Sequence, residues 1–330
     1  MAMNFPILST GAALPRTCVS NDDLVARGVE TNDAWIVSRT GIRQRYICEK
    51  DESTFTLARD AAVQALERAG IAAADVGVIV VATCTPDLSF PSVAALVQGA
   101  IGAPTTCAAL DVNGACSGFI MALATAKGLL AQGMGKHALV IGAETFSRVV
   151  DWNDRGTCVL FGDGAGAVVM GCTDDGVKGL TGDAAPQGLL AVELGMDGTQ
   201  AGCLKSSGGV SSTQTAGVVV MQGREVFKQA VRQMGQVPPV LAQAGLALGD
   251  VDWLVPHQAN VRILEAARDA LGVAADKLVV TVDKHANTSA ASIPLALDAA
   301  VTDGRIARGD IVLMQAFGAG LSWGSAVVRW

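Results

Sequence analysis

The amino-acid sequence predicts an α/β protein built from two similar halves. The first observation is an alternation of apolar strands and helices, in the order strand, helix, strand, helix, strand. The second is that this order occurs twice, with Cys116 in the first copy matching Asn287 in the second. Because alternating strands and helices favour parallel βαβ units, the duplication predicts two packed halves with a site where their strand ends meet.

Each copy consists of apolar runs rich in β-branched residues, which predict strands, and of Ala- and Leu-rich stretches with helical spacing. The predicted strands span residues 76–82, 107–112 and 137–141 in the first copy, and 251–255, 277–282 and 310–314 in the second. The predicted helices span residues 92–101 and 118–132, and then 261–271 and 289–301. Any α/β protein shows such alternation, so the duplication needs support from the chemistry of the strand ends.

The stretch between the copies, residues 174–215, is rich in Gly, Ser and Asp and has few periodic apolar positions. Such a composition is typical of surface loops and irregular structure. We therefore predict a boundary in this stretch, with an N-terminal half at residues 1–175 that carries the cysteine and a C-terminal half at residues 176–330.

The composition indicates a folded protein whose core is packed through small side chains. Half of the 330 residues are hydrophobic, only 4% are aromatic, and 38 are glycine. The formal net charge of −7 argues against a nucleic-acid-binding protein, which would show a basic stripe. The N-terminus lacks a secretory-signal pattern, and the longest uncharged stretch, residues 88–110, contains prolines and glycines unsuited to a membrane span. A cytoplasmic protein is expected.

The eight cysteines indicate neither a zinc site nor a disulfide framework, because their spacing is irregular and no CxxC pair occurs. They are interpreted as free thiols. The glycine cluster at residues 161–166 is too short for a dinucleotide-binding loop and precedes a strand. We therefore expect no metal and no nicotinamide cofactor.

Cys116 is the candidate nucleophile. It lies in the segment NGACSGF at residues 113–119, where an extended apolar run meets a long helix among residues too small to cover a side chain. A thiol at a helix N-terminus meets oriented N–H groups and the positive end of the helix dipole, which lower its pKa and can bind an oxyanion. The alternative is a buried structural cysteine in a strand-to-helix turn.

His257 and Asn287 are the candidate partners, because they follow successive predicted strands of the second half. They are one strand-helix-strand unit apart, so both can face a single pocket while Cys116 approaches from the other half. The chain has only two other histidines. In an extended segment His285 would point the same way as Asn287, although a supporting or surface role fits it equally. His137 precedes a strand and is interpreted as incidental.

A Cys-His-Asn set also occurs in papain-like proteases, where the asparagine orients the histidine. The sequence around Cys116 lacks the surroundings typical of that class, and a duplicated α/β chain without a readable signal or propeptide matches it poorly. Hydrolysis of a thioester or peptide therefore stays a minor alternative.

Long blocks of the sequence resemble the β-ketoacyl-acyl carrier protein synthase III enzymes of the thiolase superfamily, which initiate fatty-acid synthesis. Any one glycine cluster would be weak evidence, but an ordered set of blocks running nearly end to end is specific. The blocks are residues 32–43, 113–119, 154–157, 161–166, 223–227, 253–260, 285–292, 317–320 and 323–325.

The resemblance implies a thiolase-like five-layered α/β/α/β/α fold, a homodimer and a two-stage reaction. Cys116 would take an acyl group from acyl-CoA, with acetyl-CoA as the expected starter, and release CoA. Malonyl-acyl carrier protein would then enter, and His257 and Asn287 would donate hydrogen bonds to its thioester oxygen as CO2 leaves. The resulting carbanion would attack the acyl group on Cys116 and give 3-oxoacyl-acyl carrier protein. CoA thioesters are substrates in this scheme, and no cofactor is implied.

The family's CoA contacts carry over to five matching positions of this sequence. Trp35 and Arg155 would enclose the adenine, and Arg39 would meet a phosphate. Gly223 and Asn260 would border the pantetheine arm.

The resemblance also implies an acyl pocket and an oxyanion site. Phe90, Phe227 and Phe317 would shape this region, with Phe90 near the dimer contact. The N–H of Ala319 would help to hold the thioester oxygen. Family members often have glycine at the position of Ala319, so the loop there should not need a positive φ.

Arg262 and Arg224 are the candidates for docking the acidic carrier protein, which needs a local basic patch because the chain is net negative. The same triad also fits a specialised synthase III-like enzyme of secondary metabolism that takes a longer, branched or aromatic starter. A catalytically silent scaffold that binds a carrier protein is a further alternative, which a broken triad would favour.

Overall fold

The computed structural model describes residues 3–173 and 187–330. The strands in these residues are β1 (Ile7–Ala13), β2 (Thr17–Ser20), β3 (Gln44–Ile47), β4 (Val76–Ala82), β5 (Ala108–Val112), β6 (His137–Thr145), β7 (Asp163–Gly171), β8 (Gly188–Met196), β9 (Leu204–Ser206), β10 (Val219–Met221), β11 (Trp253–Pro256), β12 (Ile311–Gly318) and β13 (Ser322–Arg329). The helices are α1 (Asn21–Ala26), α2 (Asp33–Thr40), α3 (Thr54–Ala69), α4 (Val93–Ile101), α5 (Gly118–Ala131), α6 (Gly223–Met234), α7 (Val240–Gln243), α8 (Val261–Leu271), α9 (Val282–His285) and α10 (Ser292–Thr302).

The first sheet contains five strands in the order β1-β7-β6-β4-β5. Strands β4, β5 and β6 pair in parallel, whereas β7 pairs antiparallel with both β6 and β1. The strands and helices predicted for the first copy are confirmed as β4, α4, β5, α5 and β6, although β6 extends to Thr145. Strand β5 lies at an edge of this sheet and leads directly into the turn that carries Cys116.

The second sheet contains four strands in the order β11-β12-β13-β8. Strands β11 and β12 pair in parallel, and β13 pairs antiparallel with both β12 and β8. The predicted strands at residues 251–255 and 310–314 are confirmed as β11 and β12. The predicted helices at residues 261–271 and 289–301 are confirmed as α8 and α10, with a short 3₁₀ turn before α10.

The prediction of a strand at residues 277–282 is wrong. This segment has a single isolated bridge, from Leu278 to β11, and a helix begins at Val282. The Oε1 atom of Gln258 accepts the backbone N–H groups of Thr281 and Val282, at 2.8 and 3.1 Å. In a β-sheet, the carbonyl oxygens of a neighbouring strand would accept these two N–H groups. The buried glutamine therefore ends the extended segment early and turns the chain towards Asn287.

The prediction of irregular structure at residues 174–215 is wrong for part of this stretch. Strand β8 pairs antiparallel with β13 as an edge strand, and β9 forms a short hairpin with β10. The glycines and small polar residues around β8 led to the prediction of a loop. The segment is nevertheless a strand, because it pairs with β13. Residues 174–186, which include the predicted boundary between 175 and 176, lie outside the described residues.

The sheets and helices stack in five layers. Helices α3 and α4 cover the outer face of the first sheet, α5 and α10 lie between the two sheets, and α7 and α8 cover the outer face of the second. This is the α/β/α/β/α order that the resemblance implied. Within the described residues, no helix combines the length and the apolar character needed to cross a membrane.

Small residues bring the layers into close contact, as the composition predicted. A Cβ atom on Gly142 of β6 would lie 2.3 Å from the carbonyl oxygen of Ala290. Such a separation is far shorter than a van der Waals contact. Only glycine at position 142 therefore allows β6 to lie this close to the turn that contains Ala290. The contact places the turn before α10, and therefore Asn287, against the first half of the chain.

Candidate active site

Cys116 lies in a tight turn between β5 and α5, within a 3₁₀ segment that spans Ala115–Ser117. Its neighbour Ala115 has a φ of 44°, a left-handed conformation that is unfavourable for a non-glycine residue. Gly318 at the end of β12 packs against the cysteine, and a Cβ there would lie 2.7 Å from the Cβ of Cys116. The two halves therefore meet at Cys116, which is only 6% exposed.

His257 follows the last residue of β11 and is 2% exposed. Its backbone N–H donates to the carbonyl oxygen of Gln315 at 2.7 Å, which ties it to β12. Its ring Nδ1 lies 2.6 Å from the hydroxyl oxygen of Ser292. Burial lowers the pKa of His257 from 6.5 to about 3, so its imidazole is neutral at physiological pH.

Asn287 is held by three hydrogen bonds. Its N–H donates to the carbonyl oxygen of Leu160 at 2.9 Å, and its own carbonyl oxygen accepts the N–H of Gly162 at 3.0 Å. Its side-chain Oδ1 accepts the N–H of Ser289 at 2.9 Å. With Oδ1 engaged, the Nδ2 amide group is the part of the side chain free to donate to a ligand. Ala286 and Ser289, on either side, both have positive φ, so the chain is strained around this asparagine.

Cys116, His257 and Asn287 all line one cavity of about 880 Å³. Five further predicted residues line the same cavity: Gly223, Phe227, Asn260, Phe317 and Ala319. The structure therefore brings the predicted nucleophile, its two partners and the expected walls of the acyl and pantetheine channels into one space.

The backbone at Ala319 does not have a positive φ, which is the condition for an alanine at a position where family members often have glycine. Among the described residues, non-glycine positions with positive φ are Ala115, Gln214, Ala286 and Ser289. Ala319 is not one of them, whereas the next residue, Gly320, has a φ of 138°. The loop thus takes its unusual conformation at glycine, and alanine is tolerated beside it.

The predicted lowering of the Cys116 pKa is wrong, because burial raises it to about 12. The enclosed site removes water from the thiolate, and the carboxyl group of Glu144 adds unfavourable negative charge nearby. Because the net shift is upward, burial outweighs the hydrogen bonds that favour the thiolate. Cys116 is therefore a neutral thiol in this cavity, and it has to lose this proton in order to act as a nucleophile.

Glu144 is a fully buried residue that the sequence reading missed. Its carboxylate accepts hydrogen bonds from the hydroxyl groups of Thr83 and Thr85 and from the N–H of Cys84. Burial raises its pKa. Its position beside β4 fixes the segment that carries Cys84 and Thr85, both of which line the cavity. Nothing in the local sequence distinguishes Glu144 from a surface residue.

The predicted CoA residues Trp35, Arg39 and Arg155 form a separate cluster. The guanidinium carbons of Arg39 and Arg155 lie 4.7 and 5.1 Å from the centre of the Trp35 ring. The side-chain amide of Asn260, a cavity residue, donates to the carbonyl oxygen of Arg39 at 3.0 Å. The cluster and the cavity are thus linked through Asn260, although none of the three lines the cavity itself.

The remaining predicted residues lie outside the cavity. Phe90 is 85% exposed, while its neighbours Leu88 and Ser89 line the cavity. Arg262 lies over the ring of Phe227, with its guanidinium carbon 5.6 Å from the ring centre. Arg224 is an exposed residue in the first turn of α6.

Of the two alternatives left open for His285, the structure favours a position away from the cavity. His285 is the last residue of α9 rather than part of an extended segment, and it does not line the cavity. Its ring centre lies 6.4 Å from that of Tyr46, and its buried Nδ1 has no hydrogen-bond partner within the described residues. Burial lowers its pKa to about 4.

We expect His285 to destabilise the fold in acid. Because its pKa is about 4 when folded and about 6.5 when unfolded, the unfolded state binds more protons between these values. Stability is therefore lost as the pH falls through 6.5, by roughly 2 kcal/mol at pH 5 relative to pH 8. Urea unfolding at both pH values measures this loss, and a His285→Gln variant should lose about that much less. Equal losses in the two proteins would contradict a neutral buried His285.

The short hairpin of β9 and β10 is a second feature that the sequence reading missed. Residues at both ends of this segment line the cavity, including Leu204, Lys205, Val219 and Met221. Strand β9 lies within residues 174–215, which were interpreted as loops because their composition is small and polar. Its place at the cavity wall depends on pairing that local sequence does not specify.

Two family models match the chain. The model described as 3-Oxoacyl-[acyl-carrier-protein (ACP)] synthase III matches residues 110–198, and the model of the C-terminal part of the same enzymes matches residues 241–330. In the part of the chain that the structure describes, no group of three His, Cys, Asp or Glu side chains is placed to hold a metal ion.

Individual proteins are similar over nearly the whole chain. A β-ketoacyl-[acyl-carrier-protein] synthase III from Sphingopyxis alaskensis is 55% identical over 321 residues, which is 97% of each chain. The crystal structure of 3-oxoacyl-[acyl-carrier-protein] synthase III from Aquifex aeolicus has a TM-score of 0.90 and 41% identity, covering 99% of this chain and 100% of that one. A priming β-ketosynthase from the R1128 polyketide pathway has a TM-score of 0.88 and 35% identity, covering 98% of this chain and 96% of its own. The chain therefore belongs to the 3-oxoacyl-[acyl-carrier-protein] synthase III family.

Proposed function

We propose that this protein is an acyltransferase that starts fatty-acid synthesis by condensing acetyl-CoA with malonyl-acyl carrier protein. The products are 3-oxoacyl-acyl carrier protein, CoA and CO2. The observation that carries the proposal is the convergence of Cys116, His257 and Asn287 on one cavity, with a neutral imidazole and an amide as partners of the thiol. Neutral donors suit a reaction in which negative charge develops on a thioester oxygen.

In the first half-reaction the sulfur of Cys116 attacks the carbonyl carbon of the acyl-CoA thioester. A new carbon–sulfur bond forms, the bond to the CoA sulfur breaks, and CoA leaves as a thiol with the proton that Cys116 gives up. The N–H groups of Cys116 and Ala319 are the proposed donors to the oxyanion. The packing of Gly318 against Cys116 supports this pairing, because it brings the loop of Ala319 beside the nucleophile.

In the second half-reaction His257 and Asn287 bind the thioester oxygen of the malonyl group. The carbon–carbon bond to the carboxylate breaks, CO2 leaves, and the electron pair forms an enolate that both residues stabilise. The enolate carbon then attacks the acyl group on Cys116 and releases the sulfur as a thiolate, which takes up a proton from water to restore the neutral thiol. A carboxylate at position 287 would repel the enolate, which explains an amide there.

The Trp35 cluster is the proposed adenine site of CoA. Its two arginines already lie over the indole ring, and both can meet adenine or phosphate. Stacked planes lie roughly 3.5–4 Å apart, so an adenine between Trp35 and Arg155 needs a gap of about 7 Å. Arg155 would therefore move away from the ring when CoA binds. Asn260 and Gly223 line the cavity where the pantetheine arm would run.

The proposal also includes the surface that binds the carrier protein, a homodimer and a location in the cytoplasm. Arg262 and Arg224 would meet the acidic carrier protein at the cavity mouth, where Arg262 is held over Phe227. Phe90, at 85% exposure, would be covered by a second copy in a homodimer and help to shape the acyl pocket there. We propose a cytoplasmic enzyme without a bound cofactor, since CoA thioesters are its substrates.

The alternative of a synthase for secondary metabolism is not favoured. The β-ketoacyl-[acyl-carrier-protein] synthase III from Sphingopyxis alaskensis is 55% identical to this chain, whereas the priming β-ketosynthase of the R1128 polyketide pathway is 35% identical. An intact triad also disfavours a silent scaffold.

Intact-protein mass spectrometry tests the proposal. The enzyme is mixed with acetyl-CoA or longer acyl-CoAs and then with malonyl-acyl carrier protein. We expect a mass gain of one acyl group on Cys116, which malonyl-carrier protein discharges as 3-oxoacyl-carrier protein. No gain with any acyl-CoA would point to a scaffold, and discharge as free acid would point to a hydrolase. A gain with longer starters alone would point to the specialised synthase.

A further inference from the structure

The hydroxyl group of Ser292 is the hydrogen-bond partner of the His257 ring. Ser292 is the first residue of α10, and its Oγ lies 2.6 Å from Nδ1 of His257. Both residues are 2% exposed, so bulk water does not compete for this contact. The ring nitrogen that remains for a ligand in the cavity is therefore Nε2.

The hydrogen bonds of Ser292 decide which ring nitrogen carries the proton. Besides contacting Nδ1, its Oγ accepts the backbone N–H of Gln258 at 3.2 Å. Within residues 3–173 and 187–330, these are the two hydrogen bonds that Oγ makes. A serine hydroxyl has one hydrogen to donate. If Nδ1 were protonated, Oγ would receive two N–H groups, and its own hydrogen would be buried without an acceptor.

The opposite arrangement satisfies every group. The N–H of Gln258 donates to Oγ, the hydroxyl of Ser292 donates to Nδ1, and the proton of the neutral imidazole lies on Nε2. A carboxylate beside Nδ1 would instead favour a proton on that nitrogen and would raise the pKa of the ring. The partner here is an uncharged hydroxyl, and burial keeps the imidazole neutral.

We propose that Ser292 is a positioning residue that holds His257 in the tautomer protonated at Nε2. The nitrogen facing the substrate is then a hydrogen-bond donor and not a base. This inference rests on the proposed function, because only a reaction that builds negative charge on the substrate oxygen needs such a donor. The other tautomer would turn a lone pair towards the enolate oxygen and raise the barrier to decarboxylation.

Nitrogen-15 NMR of protein labelled at histidine tests the tautomer directly. The chain has three histidines, so His137→Gln and His285→Gln variants are enough to assign the ring signals of His257. We expect a protonated Nε2 and an unprotonated Nδ1 for His257 between pH 6 and pH 8. A protonated Nδ1 in the wild-type enzyme would overturn the proposal without any change to Ser292.

Variants at position 292 test the role of the hydroxyl. We expect Ser292→Ala to reduce malonyl-carrier-protein decarboxylation by about tenfold or more, while acylation of Cys116 stays within about twofold. Ser292→Thr keeps the hydroxyl and should restore most of the rate. Thr125→Ala is the matched control, since its hydroxyl lies on α5 and, among the described residues, donates to the carbonyl oxygen of Met121 alone.

The two variants distinguish the possible failures. Unchanged decarboxylation in Ser292→Ala would overturn the role of Ser292, even where the wild-type tautomer is as expected. If Ser292→Ala does not fold, Ser292→Thr carries the test: the original tautomer with most of the rate would support the proposal, and a protonated Nδ1 with most of the rate would overturn it. A wild-type enzyme with the expected tautomer but no condensation would overturn the proposed function and leave the assignment of the tautomer supported.

Discussion

Replacement of Cys116 by alanine is expected to abolish acyl transfer from CoA. No other atom at this position can form the thioester, so we expect a loss of at least about 10⁴-fold in the rate of acylation. Intact-protein mass spectrometry after mixing with acetyl-CoA measures it, and the expected spectrum shows no mass gain. The side chain is small, and Ala115 and Gly318 hold the turn through the backbone, so the fold should survive the change.

Cys84 offers a matched control, because it is a second thiol in the wall of the same cavity. Its Sγ donates to the carboxylate of Glu144 at 3.2 Å, and burial raises its pKa well above the ordinary value. Because its thiol is hydrogen-bonded to a carboxylate that would repel the thiolate, we expect it not to be acylated. We expect Cys84→Ala to keep the acyl mass gain. Acylation that persists in Cys116→Ala and disappears in Cys84→Ala would reverse the assignment of the nucleophile.

Removal of His257 or Asn287 is expected to separate the two half-reactions. Each alanine variant loses one donor to the enolate oxygen, which should slow malonyl decarboxylation by about a hundredfold or more. Acylation of Cys116 should largely remain, since its oxyanion is held by backbone N–H groups. Release of CO2 from labelled malonyl-carrier protein and the acyl mass gain measure the two steps separately.

Asn287→Asp sharpens this test. The aspartate has nearly the same shape and can still accept the N–H of Ser289, but it replaces the Nδ2 donor by a negative charge. We expect decarboxylation to fall at least as far as in Asn287→Ala. Equal loss of acylation and decarboxylation in the Asn287 variants would contradict the role assigned to this residue.

The sequence was sufficient to predict the elements that depend on local periodicity. Strand β4 and helix α8 have the predicted bounds, because their apolar patterns are read directly from neighbouring residues. Cys116 and His257 also follow the ends of predicted strands, whereas Asn287 follows helix α9 and not the strand predicted there. All three residues line one cavity, as the sequence predicted.

Strand pairing between segments that are distant in sequence could not be predicted from local patterns of apolar residues. The segment at residues 277–282 has the composition of a strand, but two of its N–H groups are taken by the side chain of Gln258. Strand β8 is the opposite case. The residues that flank it have the composition of a loop, but the segment is a strand because it pairs with β13. In both cases a partner remote in sequence decides the outcome.

The sequence by itself thus determined the fold class and predicted the nucleophile and its two partners. Only the tertiary structure decided the charge states of these groups and the contact between Ser292 and His257. Burial in the closed cavity raises the pKa of Cys116 and lowers that of His257, because a charge loses its hydration there. Hydration depends on how the two halves close around the site, and no local pattern of residues encodes it.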